Sequence, residues 1–489
     1  MERSAQTSLF LQRVGDFMSP LPPSVTTDTT CLVVVEQMRL SKAPRVLVLT
    51  PTGSIAGIIS SGDILHQVTF VTDKLTPAQV VMSQPVHTVR ADLPLFRAVA
   101  LMRDRNLRHL PVVDQDNRPQ GMLRVEDVLT PLLGKQLALV ESISTDRTLA
   151  ELSQAKHSQA ELAAVLLEQR VPPPEIMAVL TTLNDELYRR VLEQALEEMA
   201  ERGWGPPPVP FAAVVTGSAG RRESLLRPDQ DNGFILANYP DEHYSKINDY
   251  FYELANRMNI GLDAVGIPLC IGYVMANNHS WRKRLQEWQT QFLNWMRKPS
   301  LASTTLLDIW IDFRHVFGDR NLTQQLRDSI TDNVPRHHGF MRELEVLQFD
   351  HDVAITPFRT LKRERLPGQE GHRKVDIKRN GLRPLLEGVR LLGLQAGIAT
   401  TETVKRLAVL KQRNVLKAEL ADAVQDAFIC LTGLLLREQI RAQREDRLPG
   451  AYIAPEALSP WELRRLKESL RTVARLRSTV HMEFTAEVF

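Results

Sequence analysis

The stretch that decides the fold lies near the middle of the chain, where residues 211–236 read FAAVVTGSAGRRESLLRPDQDNGFIL. The apolar run at 211–216 predicts a buried strand. The GSAGRRE that follows predicts a loop whose glycines let the backbone approach a phosphate closely. Asp229 and Asp231 stand just before a second apolar run, FIL. If they begin that strand, both side chains point to one face, because side chains alternate along a strand.

This segment predicts a site for phosphoryl transfer. Gly217, Ser218 and Gly220 form the candidate phosphate loop, and Arg221 can add a bidentate contact to a phosphate. Two carboxylates on one face beside such a loop are the hard oxygen ligands that Mg²⁺ prefers, and Mg²⁺ neutralises charge on a triphosphate. The two aspartates are therefore the candidate catalytic and metal-binding residues.

An internal repeat precedes this segment. Sliding the chain by 64 residues aligns 14–65 with 78–129 without a gap, and Met18 with Met82 is one of the identical pairs. Each copy contains a short strand, an amphipathic helix, two apolar strands joined by a polar turn, and a helix opened by an acidic residue. The pattern predicts two small α/β units that bury their apolar faces against each other.

The rest of the chain is predicted to be mainly helical. From 136 to 204 apolar residues recur at helical spacing, which favours packing or a spacer over a site. After about 285, leucine-rich windows predict a helical bundle. These windows lie at 383–397, 403–412, 415–440 and 460–478.

Composition excludes several classes of protein. With 60 Lys and Arg against 58 Asp and Glu, the formal charge of the 489 residues is +2, which disfavours a strongly basic nucleic-acid binder and an acidic disordered chain. The three cysteines lie far apart, which disfavours a disulfide framework or a zinc site. No signal peptide is evident, and the longest uncharged apolar stretch, 264–276, is too short to span a bilayer. We expect a cytoplasmic protein.

The repeat at 14–133 resembles a pair of CBS domains, the cystathionine β-synthase type of regulatory module, which binds an adenine nucleotide in the cleft between its copies. The ligand motif of that family is glycine, two apolar residues, Ser or Thr, two further residues, then Asp. GIISSGD at 57–63 matches it in full. The resemblance implies that Gly57 belongs to the site, that Ser60 faces phosphate and that Asp63 binds ribose hydroxyls.

The second copy of this motif is incomplete. GMLRVED at 121–127 keeps Asp127, which the resemblance also implies as a ligand residue, but Arg124 replaces the hydroxyl residue. A carboxylate that opens a helix is also stabilised by the helix macrodipole without any ligand. A structural role therefore stays open for both motif aspartates.

The central motif resembles that of the DNA polymerase β-like nucleotidyltransferases, which is Gly-Ser, a spacer, then Asp-x-Asp. More closely, 211–280 resembles nucleotidyltransferases joined to CBS pairs, which are relatives of the uridylyltransferase that modifies the PII signalling protein. Their signature, GS-x-GR-x-E followed by D-x-DN, is matched by Gly217, Ser218, Gly220, Arg221, Glu223, Asp229, Asp231 and Asn232. The resemblance implies transfer of a nucleoside monophosphate from an NTP to an acceptor hydroxyl, with Mg²⁺.

One feature departs from the polymerase β-like pattern. Active members add a third carboxylate on a later strand, but the candidate strand at about 269–275 contains no acid, and Asp263 precedes it at a loop-like position. The gap casts doubt on general-base assistance. The alternative function is therefore a non-catalytic, nucleotide-sensing signal-transduction protein.

A basic segment at 359–383 contains nine Lys and Arg and three acidic residues. It is either a solvated loop or a segment from which Lys378 or a neighbour reaches the triphosphate or an acidic partner. Aromatic residues do not alternate with its basic residues, so RNA is not favoured as its ligand.

These interpretations divide the chain into four regions. They are tandem CBS domains at 1–135 (14–66 and 78–130), a helical linker at 136–205, a nucleotidyltransferase domain at 206–298 and a helical substrate-binding domain at 299–489. The predicted fold is α/β for the CBS pair, α+β for the polymerase β-like domain and all-α for the bundle. The resemblance implies an acceptor protein, with a PII-like protein as one candidate, an adenine nucleotide effector and a homodimer. Membrane and nucleic-acid partners are not expected.

Overall fold

The computed structural model describes residues 12–41, 43, 45–60, 63–64, 75–105, 107–124, 148–349, 352–356, 358, 360–365, 373–447 and 450–486. Contacts between residues divide the chain into two units, 1–146 and 147–489. Within the described residues, no helix has both the length and the apolar character needed to cross a membrane.

The first unit contains two three-stranded sheets built on one plan. In each sheet the first strand runs parallel to the second, and the second runs antiparallel to the third. The strands are β1 (Ser24–Thr26), β2 (Arg45–Leu49), β3 (Ile55–Ser60), β4 (Val89–Arg90), β5 (His109–Val113) and β6 (Pro119–Arg124). The helices are α1 (Cys31–Ser41), α2 (Ala78–Val81) and α3 (Leu95–Asp104).

The predicted repeat is confirmed at the level of strand register. Val25 pairs with Val48 in the first sheet, and Val89 pairs with Val112 at the equivalent place in the second. A register shift follows Val48 in one copy and Val112 in the other. The two copies therefore share their irregularities as well as their strands.

The two copies also exchange a segment of backbone. Ser19, from the first copy, forms an antiparallel bridge with Met122 in β6 of the second copy. Ser83, from the second copy, forms the same bridge with Ile58 in β3 of the first. Each copy therefore completes the sheet of the other.

Methionine side chains follow the same exchange. A Cβ atom on Gly57 would overlap the Met82 side chain, and a Cβ atom on Gly121 would lie 2.8 Å from Met18 Sδ. Packing of methionine from the opposite copy therefore requires glycine at both positions. This requirement accounts for Gly57 independently of any ligand.

The second unit is built on a four-stranded mixed sheet in the order β10-β7-β8-β9. β8 and β10 run antiparallel to β7, and β9 runs parallel to β8. The strands are β7 (Phe211–Val215), β8 (Asn232–Leu236), β9 (Arg282–Arg284) and β10 (Arg314–Gly318). The predicted strand at 211–216 and the one containing FIL are confirmed.

Helices surround this sheet and form the C-terminal bundle. They are α4 (Leu149–Glu168), α5 (Pro173–Glu201), α6 (Gly217–Gly220), α7 (Tyr244–Val265), α8 (Leu285–Arg297), α9 (Leu301–Trp310), α10 (Arg320–Asn333), α11 (His338–Phe349), α12 (Arg383–Gln395), α13 (Thr403–Gln412), α14 (Ala418–Arg444) and α15 (Pro460–Ala486). A small sheet joins β11 (Glu364–Arg365), β12 (Arg373–Asp376) and β13 (Tyr452–Ile453), and a π-helical turn spans Lys378–Leu382. The four leucine-rich windows are confirmed as α12 to α15.

The central sheet separates two hydrophobic cores. Phe211 and Val215 of β7 face a core that includes residues of α4, α5 and α7. Ala212 and Val214 face the larger core shared with the C-terminal helices. Because side chains alternate along a strand, one buried strand packs against both layers.

Two parts of the structure differ from the predicted domain division. Leu187 and Leu192 of α5 are buried against the central sheet, so α4 and α5 are a layer of the second unit and not only a linker. β10, at 314–318, belongs to the same sheet, so the sheet extends into the predicted helical domain. Amphipathic spacing predicts a helix but does not identify the surface that the helix covers.

Three tryptophans stack on the face of the sheet that the C-terminal bundle covers. The ring centroid of Trp288 lies 4.6 Å from that of Trp310, and Trp310 lies 5.2 Å from Trp281. A Cβ atom on Gly233 in β8 would overlap the Trp310 ring. Glycine at this position therefore allows the Trp310 indole to pack directly on β8, which begins immediately after the candidate aspartates.

Candidate active site

The candidate aspartates lie immediately before β8, beside the end of β7. The backbone N–H of Thr216 donates to the carbonyl of Asp231 at 2.9 Å, so the two strands place Asp231 next to the start of the phosphate loop. Asp231 is half-buried and lines a cavity, whereas Asp229 is exposed. The two carboxylates therefore occupy different environments, one inside the cavity and one facing solvent.

Gly217 lies against the carboxylate of Asp231. Its φ of +61° lies in the left-handed region that favours glycine, and a Cβ atom there would be 3.1 Å from Asp231 Oδ2. Gly217 and Ser218 both line the same cavity as Asp231. The start of the predicted phosphate loop thus faces the predicted metal ligand.

The cavity has a volume of about 570 Å³ and lies between the central sheet and the C-terminal bundle. One end carries Gly217, Ser218 and Asp231, together with Lys378 and Arg379 from the π-helical turn. The apolar wall is formed by side chains of four α-helices, the π-helical turn and a neighbouring loop. These are Met177, Leu225, Ile309, Leu382, Leu386, Phe428 and Leu435.

Lys378 reaches this cavity from a distant part of the sequence. The carboxylate of Asp376 accepts a 2.8 Å hydrogen bond from the backbone N–H of Arg379, which fixes the start of the π-helical turn. Burial raises the pKa of Asp231 and the charge of Lys378 partly opposes that rise, so the two side chains are electrostatic neighbours. Two other cations of the basic segment are paired: Lys362 with Asp352 at 2.9 Å and Arg363 with Glu456 at 2.6 Å.

The charge of Asp231 is poorly compensated within the protein. Burial raises its pKa above the usual range, and the neighbouring charge of Asp229 adds to this effect. Cys270, whose own pKa is raised by burial, donates a hydrogen bond that partly opposes it. A carboxylate that is costly to ionise is stabilised when a cation binds beside it.

The residues present fit a magnesium ion held together with a substrate. Mg²⁺ is usually bound by one or two carboxylates, with phosphate oxygens and water completing the octahedron. Asp231 and Asp229 would supply those carboxylates, and the described residues contain no cluster of three or more His, Cys, Asp and Glu that could hold a metal without substrate. The donor set therefore suits a metal that arrives with a triphosphate.

Of the two other residues of the predicted phosphate loop, Arg221 lines the cavity and Gly220 does not. The Arg221 guanidinium donates to Glu223 at 2.9 Å and to Asp312 at 3.2 Å, so it borders the cavity while being held in a buried ion-pair network. A Cβ atom on Gly220 would overlap the carbonyl oxygen of Asp312, and Gly220 is not among the residues that line the cavity. Glycine is required at position 220 because the backbone packs against the carbonyl group of Asp312.

Sequence analysis missed most of that network. We call it the arginine–carboxylate network; its members are Arg221, Arg390, Arg406, Glu223, Asp308 and Asp312. Asp312 is 1% exposed and accepts from Arg406 at 2.6 Å. Although burial by itself raises its pKa, the charges of Arg406, Arg390 and Arg221 hold the pKa of Asp312 well below its usual range.

The network joins the signature motif to the C-terminal bundle. Arg390 lies in α12 and Arg406 in α13, and the backbone N–H of Thr403 donates to Glu223 at 2.9 Å. The available sequence signal was a charged residue inside an apolar run, as in WIDF at 310–313 and VRLL at 389–392. Such a residue is usually paired when it is buried.

The predicted strand at 269–275 is wrong. The segment forms turns, with Tyr273 in the left-handed region, and the strand beside β8 is instead β9, which reads RKR. Asp263 lies near the end of α7, where its Oδ1 accepts from the backbone N–H of Leu269 at 3.4 Å. Among the described residues, the strand next to the candidate pair therefore offers no third carboxylate.

The first unit brings together three residues at its complete ligand motif. The Asp63 carboxylate accepts hydrogen bonds from Ser60 N and Ser60 Oγ, both at 2.7 Å, and from Ser83 Oγ of the opposite copy at 3.2 Å. In the second copy, Arg124 Nη2 donates to Ser19 Oγ at 2.9 Å, beside a cavity of about 420 Å³. Asp127 lies outside the described residues.

Family models match three parts of the chain. Residues 157–302 match a family described as "Putative nucleotidyltransferase DUF294". Residues 338–484 match one described as "Putative nucleotidyltransferase substrate binding domain", and residues 14–69 and 78–134 match the CBS domain.

Curated relatives share shorter stretches. The chain is 32% identical over 104 residues to an uncharacterized protein of Methanopyrus kandleri, covering 20% of this chain and 52% of that one. It is 30% identical over 122 residues to a homoserine O-acetyltransferase of Methanohalophilus mahii, covering 25% and 24%. It is 31% identical over 108 residues to an arabinose 5-phosphate isomerase of Pseudomonas aeruginosa, covering 22% and 33%. The chain thus spans between about a quarter and about half the length of these relatives.

Solved structures are similar to about a quarter of the chain. One is a CBS domain protein from Pyrobaculum aerophilum complexed with AMP, at 22% identity and a TM-score of 0.23, covering 27% of this chain and 98% of that one. Another is the cytosolic domain of the Mg²⁺ channel MgtE in complex with ATP, at 28% identity and a TM-score of 0.23, covering 25% and 49%.

Proposed function

The chain joins a CBS domain pair to the DUF294 domain and the DUF294 C-terminal domain, and on this premise we propose that it is a regulatory nucleotidyltransferase. It transfers a nucleoside monophosphate from an NTP to an acceptor hydroxyl, on a protein such as a PII-like protein, and releases pyrophosphate. One observation carries the proposal. A single cavity is lined by Gly217 and Ser218 after β7, by Asp231 before β8, and by Lys378 from the π-helical turn about 150 residues later.

Each side chain has a part in the proposed transfer. The acceptor oxygen attacks the α-phosphorus while the bond to the bridging oxygen breaks, and pyrophosphate leaves. The backbone at Gly217 and Ser218 binds the triphosphate, and Lys378 offsets the charge of the leaving group. Asp229 and Asp231 hold Mg²⁺, which neutralises triphosphate charge. Because the neighbouring strand β9 offers no third carboxylate, the hydroxyl proton passes to water.

Nucleotide binding is tested first by thermal unfolding of the full chain with each NTP, with and without Mg²⁺. All six tryptophans lie between 204 and 461, so intrinsic fluorescence reports the second unit alone. A ligand that binds only the folded state adds about 2.7 kcal/mol at a hundredfold excess over its dissociation constant. We expect a Mg²⁺-dependent stabilisation by one NTP, and its loss in the Asp229→Asn/Asp231→Asn double variant. Absence of a shift with every NTP would contradict the proposal.

A second candidate function is a nucleotide sensor without chemistry. The observation that favours it is the strand beside the aspartates, β9, which carries three basic residues where active polymerase β-like enzymes add an acid. Such a sensor would show the Mg²⁺-dependent stabilisation but would transfer no label from an α-³²P-labelled NTP to any acceptor.

We further propose that the CBS pair binds an adenine nucleotide at Ser60 and Asp63. Titration of the full chain with AMP, ADP, ATP and S-adenosylmethionine is expected to show binding that Asp63→Asn weakens at least about tenfold, since charged hydrogen bonds contribute about 1.5–3 kcal/mol each. The exposed Asp116→Asn in the same unit is the matched control and should bind normally. If none of the four ligands binds, the pair is a dimerisation module only, and the predicted homodimer becomes its function.

A further inference from the structure

An exposed apolar loop borders the candidate aspartates. Within the five residues 269–273, Leu269 is 45% exposed, Ile271 is 95% exposed and Tyr273 is 70% exposed. Cys270, between them, is half-buried, and Val274 is buried. The outward side chains therefore form an apolar patch, which we call the 269–273 patch.

The backbone of the patch is held in place at both ends. Gln230 N donates to the carbonyl of Pro268 at 3.0 Å, and Asn232 N donates to the carbonyl of Val274 at 3.0 Å. Tyr273, at φ +54°, is fixed by its own N–H to Cys270 and by a 3.2 Å hydrogen bond from Asn278 Nδ2 to its carbonyl. A bulky residue in this conformation is strained and persists only where surrounding contacts impose it. The apolar groups are thus displayed by a fixed backbone.

The patch is continuous with the candidate catalytic segment. Gln230, the residue between the two aspartates, forms a parallel bridge with Leu269. Asn232, which follows Asp231, donates its N–H to the carbonyl of Val274 at the end of the loop. A molecule that covers the patch is therefore adjacent to both carboxylates.

We propose that the 269–273 patch is the docking element for a protein acceptor, which covers Ile271 and Tyr273 with an apolar segment and presents its hydroxyl to Asp229 and Asp231. This inference rests on the proposed transfer. A small polar acceptor gains nothing from large exposed apolar side chains, whereas burying them stabilises a protein complex.

The charge at the border of the patch indicates which charges the partner carries. Asp229 and Asp263 are both exposed, and Asp263 lies at the base of the loop through its contact with Leu269 N. Asp229 belongs to the proposed metal pair, so Asp263 is the carboxylate that repels the phosphates of a nucleic acid and attracts a cation of the partner. The fitting partner is therefore a protein segment that is apolar at its centre and carries Lys or Arg beside it.

The test measures transfer from an α-³²P-labelled NTP to protein in native extract of the source cells, over a dilution series of the extract. The Ile271→Asp variant should lower the rate at least tenfold in dilute extract, with recovery in concentrated extract, because docking raises the apparent affinity for acceptor. Its stabilisation by NTP and Mg²⁺ should equal that of the wild type. Val346→Asp, which changes a residue that is 54% exposed on α11, is the matched control and should transfer normally.

Other outcomes would overturn the inference in separate ways. Equal transfer by Ile271→Asp and the wild type would remove the patch from acceptor binding and leave the proposed transfer intact. Label on nucleic acid, on a small molecule or on Tyr273 itself would replace the protein acceptor. A change of oligomeric state in Ile271→Asp would assign the patch to a second copy of the chain. No transfer by the wild type, despite NTP binding, would contradict the proposed function and the docking element together.

Discussion

The Asp231→Asn protein is expected to lose nucleotidyl transfer by about 10³-fold or more while remaining folded. Asp231 lies in the cavity beside Gly217, so it is the carboxylate placed to hold Mg²⁺ against the triphosphate. Stabilising the charge of a transferring phosphoryl group contributes several kcal/mol, and about 4 kcal/mol corresponds to 10³ in rate. The measurement is the rate of label transfer from an α-³²P-labelled NTP.

The thermal stability of Asp231→Asn distinguishes a loss of catalysis from a loss of folding. Because burial raises the pKa of Asp231, ionising it in the folded protein costs more than in the unfolded chain. The neutral Asn removes that cost, so the melting temperature without ligand should be unchanged or higher. An inactive protein that is at least as stable as the wild type is the signature of a residue retained for function.

Two further Asp→Asn changes are matched controls. Asp249 is exposed on α7, and its replacement should leave transfer unchanged. Asp263→Asn asks whether the acid considered from the sequence serves as the third carboxylate, and we expect it to retain the transfer rate at saturating acceptor. Transfer by Asp231→Asn at the wild-type rate would remove Asp231 from the chemistry.

The Asp312→Asn protein is expected to be destabilised by about 3–5 kcal/mol, the usual cost of removing one partner from a buried ion pair. Asp312 is 1% exposed and faces three guanidinium groups, and Arg406 is equally buried. Asparagine preserves the shape of the side chain but leaves those cations without their central counter-charge. The measurement is urea unfolding at neutral pH followed by tryptophan fluorescence, which reports only the second unit.

The same residue predicts a dependence on pH. Its folded pKa is depressed below the unfolded value of about 3.9, so its stabilisation is present above that pH and is lost as pH falls toward the folded value. The wild type should therefore lose stability below about pH 4 more steeply than Asp312→Asn does. Asp332→Asn, at an exposed position of α10, is the control and should follow the wild type. A loss of less than 1 kcal/mol in Asp312→Asn would mean that the network contributes little to stability.

Local sequence patterns were sufficient to predict much of the fold. The repeat was visible because corresponding positions of two copies have the same neighbours, and the structure confirms it in the pairing of Val25 with Val48 and of Val89 with Val112. The C-terminal helices follow from leucine at helical spacing, and β7 follows from an apolar run bounded by glycine. In each case the signal lies within one element or at one fixed spacing.

The incorrect and missing predictions concern regions whose structure depends on packing between elements that are distant in sequence. The uncharged stretch at 269–275 resembles a strand, but Gly272 and the left-handed Tyr273 belong to turns, and β9 forms from RKR because it pairs with β8. The arginine–carboxylate network joins residues up to 185 positions apart, from Arg221 to Arg406. Their meeting depends on the folded bundle and leaves only a weak trace in sequence.

The exchange of segments in the first unit constrains how a duplicated gene can diverge. Met18 rests against Gly121, and Met82 rests against Gly57, so each pair is split between the two halves of the duplication. A substitution at one of these positions must fit a residue in the other half. The two halves therefore tolerate only compatible changes. The hydroxyl position of the ligand motif has nevertheless become serine in one half and arginine in the other. The methionine–glycine contacts therefore tie the two halves together, while the ligand motif is free to differ between them.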